Sequence, residues 1–441
     1  DSFQEVDIMG ITLPIVKHSY IIRDVRDLEH TIREAFQIAS SGRKGPVLID
    51  IPKSIQADTC EYTGVRLTDG NRGKKEPKNS FKEAVEAIKN SKKPYIYCGG
   101  GVISSGAEKE VLELSKRLSA PIGLSIMGLT AIPNSYELNL GMCGMHGHYA
   151  ASKAQSEADL IIALGVRFSD RATGNVKEYT KNCTVLHVDI DDAEIGKNVH
   201  SDIWLCGDLK PILSTILDEI PTFRNEGWLK QIEEFKETVK IEKNEKFTPK
   251  NIIELVNSFC DKDTVIATDV GQHQMWTAQY YKFEKPRTFL TSGGLGTMGF
   301  GMGAAIGGCI ARGKKKTVLF TSDGSFGMNL TELATAVSQE LPLLIILLNN
   351  GTLGMVRQWQ QAFYENRYSQ TTLDRKTDFP MLARAFGANG HRAESLMELK
   401  KLLEEIGDIS SPHLIECKIN IDEKVLPMIP PGGSVKDIIL N

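Results

Sequence analysis

The stretch at 318–359 constrains this chain more than any other. An apolar, β-branched run, Val318-Leu319-Phe320-Thr321, stops at Ser322-Asp323-Gly324, where strand chemistry gives way to turn chemistry. A helix should follow, starting near Asn329 with Glu332 in capping-box position, and end before Pro342. A second apolar run at 343–348 closes on Asn349-Asn350. A helix between two strands demands a parallel pair, so Asp323 and Asn350 should lie side by side at the carboxyl edge of the sheet. One carboxylate and one amide oxygen form a hard, all-oxygen set, suited to a magnesium ion that completes its octahedron with phosphate and water. Asp-Gly alone is usually a turn and Asn-Asn alone a strand end. Their pairing across strand, helix and strand points to a diphosphate anchor.

The remaining sequence repeats this alternation. Near-continuous apolar runs at 95–98, 160–164, 185–189, 265–267, 317–320, 342–348 and 413–419 are separated by helical segments. This predicts an α/β chain of doubly wound parallel sheets, with two complete Rossmann-like domains. Residues 1–60 hold an amphipathic helix capped by Asp27, then a strand at 47–53, too little to bury a core, so they read as the tail of a third domain. A polar linker is expected at 61–78, a central domain at 79–222, a charged helical connector at 223–250 and a second complete domain at 251–441. Thr248-Pro249 is a cap followed by proline at the first helical position.

Composition excludes some partners. A net charge of −4 with 24% charged residues gives no nucleic-acid footprint, and Lys314-Lys315-Lys316 reads as a solvated turn. The longest apolar run suits a buried strand and falls short of a bilayer span. Eight cysteines, scattered singly without C-x-x-C spacing, fit a reducing compartment, cytoplasmic or the stroma or matrix of an organelle. The first residues have neither an initiator methionine nor a signal-like core, as though the chain began mid-domain.

Other segments carry chemistry. Gly294, Gly296 and Gly299 form a formal G-x-G-x-x-G, and Asp323 could serve as the distant acid of a nicotinamide dehydrogenase. That reading leaves Asn350 and the residues C-terminal to it unexplained. Gly271, Gln272 and His273 sit between a strand and a helix, where backbone amides suit phosphate, although a lone histidine there is more often structural. In the middle of the chain, Gly99-Gly100-Gly101 permits close backbone approach, Arg167 can clamp a phosphate bidentately and Asp189 can accept from a ribose hydroxyl. Taken singly, an arginine there is as readily a surface ion pair.

The anchor segment resembles the cofactor motif of thiamine-diphosphate enzymes, which runs from Gly-Asp-Gly to Asn-Asn, with Ser322 replacing the first glycine. The run Gly351-Thr352-Leu353-Gly354-Met355-Val356-Arg357-Gln358-Trp359 is similar to acetohydroxyacid (acetolactate) synthase catalytic subunits. So are Gly144-Met145-His146-Gly147 and the segment 165–174, in which Ser169 replaces the more usual aspartate. The resemblance implies a thiamine-diphosphate site of Gly271, Gln272, His273, Gly296, Met298, Asp323, Gly324, Ser325, Asn350, Thr352, Gly354, Met355 and Val356. Asp323, Asn350 and the Thr352 carbonyl would hold magnesium, and Met298 would prop the cofactor. It implies an FAD site of Arg43, Gly99, Gly100, Gly101, Ser125, Met145, His146, Gly147, Gly165, Val166, Arg167, Arg171, Asp189, Ile190 and Asp208. Arg171 would meet the substrate carboxylate, Trp359 would shape the acceptor pocket, and Phe3 and Lys53 would border the entrance. The implied reaction decarboxylates pyruvate and joins the two-carbon unit to pyruvate or 2-ketobutyrate. A homodimer or tetramer is implied, with a possible small regulatory subunit. The family's catalytic glutamate lies on a domain front absent from these residues. A catalytically incompetent cofactor-binding fragment, and a flavin-linked relative such as a pyruvate oxidase, are the alternatives.

Overall fold

A computed structural model of the chain describes residues 5–62, 64, 80–181, 183–239 and 245–440. Phe3 and nearly all of the expected linker at 61–78 lie outside the described residues. The chain divides into two compact units, one of 1–78 with 190–192 and the other of the remainder.

In the first unit, strands β1 (His18–Ile21) and β2 (Val47–Asp50) pair in parallel, and β1 escaped the sequence reading because its residues are mixed in polarity. The amphipathic helix spans Leu28–Ser40, but the residue with a capping hydrogen bond is Asp24, which accepts from Arg26 N at 2.9 Å on the turn before it. Asp27 is already helical and makes no capping bond. Two strands are too narrow to cover the helix, and Phe36 remains 74% exposed.

The second unit contains two six-stranded, wholly parallel sheets. The central sheet comprises β3 (Pro94–Cys98), β4 (Ile122–Leu124), β5 (Asn139–Met142), β6 (Leu160–Leu164), β7 (Thr184–Asp189) and β8 (Ile203–Cys206). Their spatial order is β5-β4-β3-β6-β7-β8, the order of dinucleotide-binding sheets, which reverses between β3 and β6. The other sheet comprises β9 (Val265–Thr268), β10 (Phe289–Leu290), β11 (Thr317–Ser322), β12 (Leu343–Asn349), β13 (Asn389–Ala393) and β14 (His413–Lys418), ordered β10-β9-β11-β12-β14-β13. It reverses between β9 and β11. One apolar core runs through both sheets, from Ile96 and Ile162 to Ile266 and Ile346.

Within the charged helical connector expected at 223–250, a helix, Glu226–Thr238, packs on the central sheet. Trp228 is 1% exposed, donates from Nε1 to the Pro94 carbonyl at 3.1 Å and packs with Ile232 among the residues under the central sheet. Its apolar stripe, one residue per turn, was hidden by the surrounding charge. Thr248 caps the next helix, Pro249–Ser258, accepting from Asn251 N.

Candidate functional site

Sheets of this kind bind ligands outside the strand tips where the order reverses. In the C-terminal sheet those tips carry Asp269 and Asp323. Asp269 is 1% exposed, and its carboxylate accepts from Val270 N and Gly299 N at 2.8 Å and from Gly301 N at 3.3 Å. It therefore pins the glycine-rich loop to the end of β9. Gly301 must lack a side chain because a Cβ would come within 2.8 Å of the Asp269 nitrogen. Sequence reading assigned Asp269 no role, although an acid at a strand tip was the available signal.

A helix not expected from the sequence, Asp323–Asn329, follows β11 directly; the helix expected from Asn329 comes after it as a 3-10 turn, Leu330–Glu332, and a helix, Leu333–Ser338, without a capping bond from the Asn329 side chain. Ser322 is the cap of the first helix, accepting from Ser325 N at 3.5 Å with an extended backbone (φ −135°) that any residue adopts. The serine that breaks the family's glycine pattern thus does local work on the helix. Asn329 ends this helix and donates from its amide to the Gly299 carbonyl at 3.3 Å. Asp323 is 3% exposed, one carboxylate oxygen has no partner, and burial pushes its carboxyl up to about 6.

Ser322 pairs with Leu348 across β11 and β12, which sets Asp323 beside the Asn349-Asn350 turn. That turn is held from behind. Glu416, buried on β14, accepts from Asn349 Nδ2 and from Arg392 Nε, both at 2.7 Å. Asn350 Nδ2 donates to Gln272 Oε1 at 3.3 Å, while its own Oδ1 accepts from Thr352 N. The Thr352 hydroxyl donates to the Thr371 carbonyl at 2.8 Å. A partnerless buried carboxylate oxygen near an oriented amide is a donor set that fits magnesium.

Around these lie the remaining expected contacts. The Gln272 amide is engaged within the protein, donating to Gln358 Oε1 at 3.0 Å and to the Glu423 carbonyl at 2.7 Å. His273 is buried with Nε2 unpartnered, and burial drives its imidazole down to about 3, so it is neutral. The Ser325 hydroxyl donates to the Val270 carbonyl at 2.7 Å. Gly271 and Gly296 take positive φ of 152° and 64°. Met298 reaches over Gly324, where a Cβ would stand 3.8 Å from Met298 Cε. A Cβ on Gly354 would lie 1.9 Å from Gln272 Oε1 and 2.7 Å from Asn350 Nδ2, so a side chain there would displace both amides. On the helix Gly354–Phe363, Met355 packs on the core and Val356 is 48% exposed.

In the central sheet the reversal brings Gly99 and Gly101, after β3, against Gly165, after β6. A Cβ on Gly99 would sit 2.0 Å from the Gly165 oxygen, and one on Gly101 2.5 Å from Gly165 Cα. Gly100 faces Met127. Arg167 is exposed just beyond β6, while Val166 is buried and its carbonyl meets His187 Nε2. Asp189 ends β7, and the adjoining Ile190 is grouped with the N-terminal unit, as are Arg43 and Lys53. Asp208 caps the helix Leu209–Glu219, accepting from Lys210 N and from the Ser105 hydroxyl. Ser125 N donates to the Cys98 carbonyl. Met145 N donates to the Arg171 carbonyl, and Gly147 N closes a turn onto Gly144. The Arg171 guanidinium lies 5.7 Å from the Trp359 ring centroid and also meets Asp170 at 3.1 Å. Two residues expected on separate grounds at the substrate therefore form a cation–π pair.

Comparison with known proteins agrees with this geometry. Residues 269–417 match the family model described as "Thiamine pyrophosphate enzyme, C-terminal TPP binding domain", and residues 81–216 match its "central domain". Across its whole length the chain is 41% identical to a probable acetolactate synthase large subunit of Methanocaldococcus jannaschii, covering 77% of that protein. It is 39% identical to the acetolactate synthase isozyme 3 large subunit of Escherichia coli, covering 80% of it. A Lactococcus lactis acetolactate synthase large subunit is 41% identical over 98% of the chain and 76% of its own length. The chain belongs to the acetolactate synthase large-subunit family. No helix among the described residues is long and apolar enough to cross a membrane.

In this family member buried histidines, His146 and His273 among them, make stability depend on pH. Burial, with Arg171 adding to it at His146, pushes His146 down to about 4, and burial, opposed by a hydrogen bond to the Asp269 backbone, pushes His273 down to about 3, from 6.5. Between pH 6.5 and 4 the unfolded chain takes up protons that the folded chain refuses, so stability falls as pH falls through that window. At pH 5 each histidine should cost roughly 2 kcal/mol relative to pH 7, partly offset by Asp323, whose raised carboxyl acts in the opposite sense. Calorimetric melting at pH 7 and 5 should show a lower Tm at pH 5; an unchanged Tm would contradict the buried, neutral imidazoles.

Proposed function

We propose that the chain is the carboligating part of an acetolactate synthase, with thiamine diphosphate and magnesium at the C-terminal sheet and FAD at the central one. The observation that carries this reading is the buried, partnerless Asp323 oxygen at the β9–β11 reversal, beside the Asn350 turn. Asp323, Asn350 and the Thr352 carbonyl would hold magnesium. His273, neutral and with Nε2 unpartnered, can accept from a protonated phosphate oxygen. When bound, thiamine diphosphate supplies the electron sink for breaking and forming a carbon–carbon bond.

The protein's own part is positioning and exclusion of water. Met298, over Gly324, would prop the cofactor. Arg171, braced on Trp359, can orient a 2-ketoacid carboxylate, with the indole as one wall of the acceptor pocket. The Gly99–Gly165 crevice and Arg167 suit the diphosphate of FAD, and Asp189 its ribose. FAD would be structural here. Relatives called large subunits support a small-subunit partner, and the homodimer or tetramer is what the family resemblance implies.

The reading is tested by supplying pyruvate, with and without 2-ketobutyrate, together with thiamine diphosphate, magnesium and FAD. The glutamate that the family resemblance requires has no counterpart in these residues. Turnover is therefore read with the chain joined to the N-terminal part of a relative, and beside it with the 441 residues alone. 2-Acetolactate and 2-aceto-2-hydroxybutyrate should form in the first case and scarcely in the second. Acetate as the product would overturn the carboligase assignment. Within the joined protein, Arg171→Leu should raise KM for the ketoacid by about 10- to 100-fold, the worth of one charged hydrogen bond. An unchanged KM would remove Arg171 from the substrate.

A further inference from the structure

Three side-chain amides, two of them buried, connect the Asn350 turn to the C-terminal tail, and their order fixes which way each one points. A backbone N–H can only donate and a backbone carbonyl can only accept. Val425 N lies 2.9 Å from one end of the Gln358 amide, and the Val425 carbonyl lies 3.1 Å from the other. The first end must therefore be Oε1 and the second Nε2. Gln358 Oε1 also faces Gln272 at 3.0 Å, so that end of Gln272 must be its Nε2, a polarity repeated by the Glu423 carbonyl at 2.7 Å. The opposite end of Gln272 is then an acceptor, and it takes Asn350 Nδ2 at 3.3 Å. Asn350 is left with its oxygen on the far side, where Thr352 N also points at it. Gln272 and Gln358 are 4% and 5% exposed, so water offers no alternative partners.

We infer that Gln358 is a positioning residue, the middle of an amide relay through which the tail backbone at Val425 makes Asn350 present oxygen, and not nitrogen, to a cation. The inference rests on the proposed cofactor site, since it concerns how the chain prepares that ligand. The same tail segment grips the central domain: Ile429 N donates to the Met145 carbonyl, and Asn175 N donates to the Gly433 carbonyl. Seating the tail on the Met145–Arg171 region and orienting Asn350 are thus served by one run of chain. Without Gln358 only the Glu423 carbonyl holds Gln272 and only the long Thr352 N contact holds Asn350, and an Asn350 amide that turned over would offer a donor to the metal.

Manganese(II), titrated into the 441-residue chain with thiamine diphosphate and read by electron paramagnetic resonance, reports the site without turnover. Gln358→Leu should weaken manganese by about tenfold, the usual loss when a group behind a metal ligand is removed. In an Asn350→Asp background the two oxygens are equivalent, so orientation no longer matters and Gln358→Leu should add no further loss. Equal losses in both backgrounds, or none in the first, would overturn the relay, because a general packing defect is indifferent to the residue at 350. Gln358→Met, which keeps the length of the side chain, replaces leucine if circular dichroism shows that the first variant does not fold. Manganese binding by the native sequence with no effect of Gln358 would overturn the relay alone. No binding by the native sequence would overturn the cofactor reading with it.

Discussion

Asp323→Ala should abolish magnesium-dependent binding of thiamine diphosphate, a loss of at least about a hundredfold, or roughly 3 kcal/mol, by calorimetry. The same variant should melt higher than the native sequence in the absence of cofactor at pH 7.5. Both outcomes have one cause: the carboxyl is buried beneath the β11 tip with an oxygen that nothing in the protein satisfies, and burial raises it to about 6. A carboxyl raised in this way destabilises the fold once ionised. Its cost is absent below about pH 4 and develops as pH rises through 6, reaching roughly 3 kcal/mol at neutral pH. Magnesium needs the ionised form, so its affinity should fall as pH drops through 6. A carboxylate kept for structure would give the opposite result, a lower Tm on removal. Unchanged cofactor affinity would refute the ligand assignment.

Gly99→Ala should eliminate flavin from the protein and destabilise the central domain. A methyl group at Gly99 would stand 2.0 Å from the Gly165 carbonyl oxygen and 2.7 Å from Val166 Cγ1, and the first of these obstacles is backbone. β3 and β6 are adjacent and parallel, so separating their tips strains the paired register Cys98↔Leu164. Overpacking of this kind costs about 1–3 kcal/mol, and the displaced strand tips are the ones expected to carry the FAD diphosphate. Absorbance near the flavin band after purification with added FAD, together with a melting curve, measures both effects. Gly106→Ala, at a helix end with open space around it, should retain flavin despite its left-handed backbone. Normal flavin content in Gly99→Ala would show that the crevice is not the flavin site.

Much of the site could be read from the sequence because its clues are local. Apolar runs of strand length and turn residues at their ends located Asp323, Asn350, Gly271 and Gly165 at strand tips, and a helix between two strands required those strands to be parallel. Local pattern misled where two structures share one signature. The helix start at Ser322 looked like a turn because Ser-Asp-Gly serves both purposes, and the charge on Glu226–Thr238 concealed the stripe led by Trp228. Weak or mixed strands such as β1, β5 and β13 carry too little alternation to be seen without the neighbours that pair with them.

By itself, then, the chain's sequence determined the alternation of strands and helices, the parallel sheets and which residues stand at their carboxyl ends, since each depends on periodicity and turn chemistry within a few residues. Only the tertiary structure decided that Gly99 meets Gly165, that Arg171 lies over Trp359, that Asp269 holds the glycine loop, and that Val425 reaches Asn350 through Gln358 and Gln272. Those partners lie far apart along the chain. They meet because of the order in which the strands enter the two sheets, which no local pattern encodes, and their amides and carboxylates have to find one another because burial removes the water that would otherwise satisfy them.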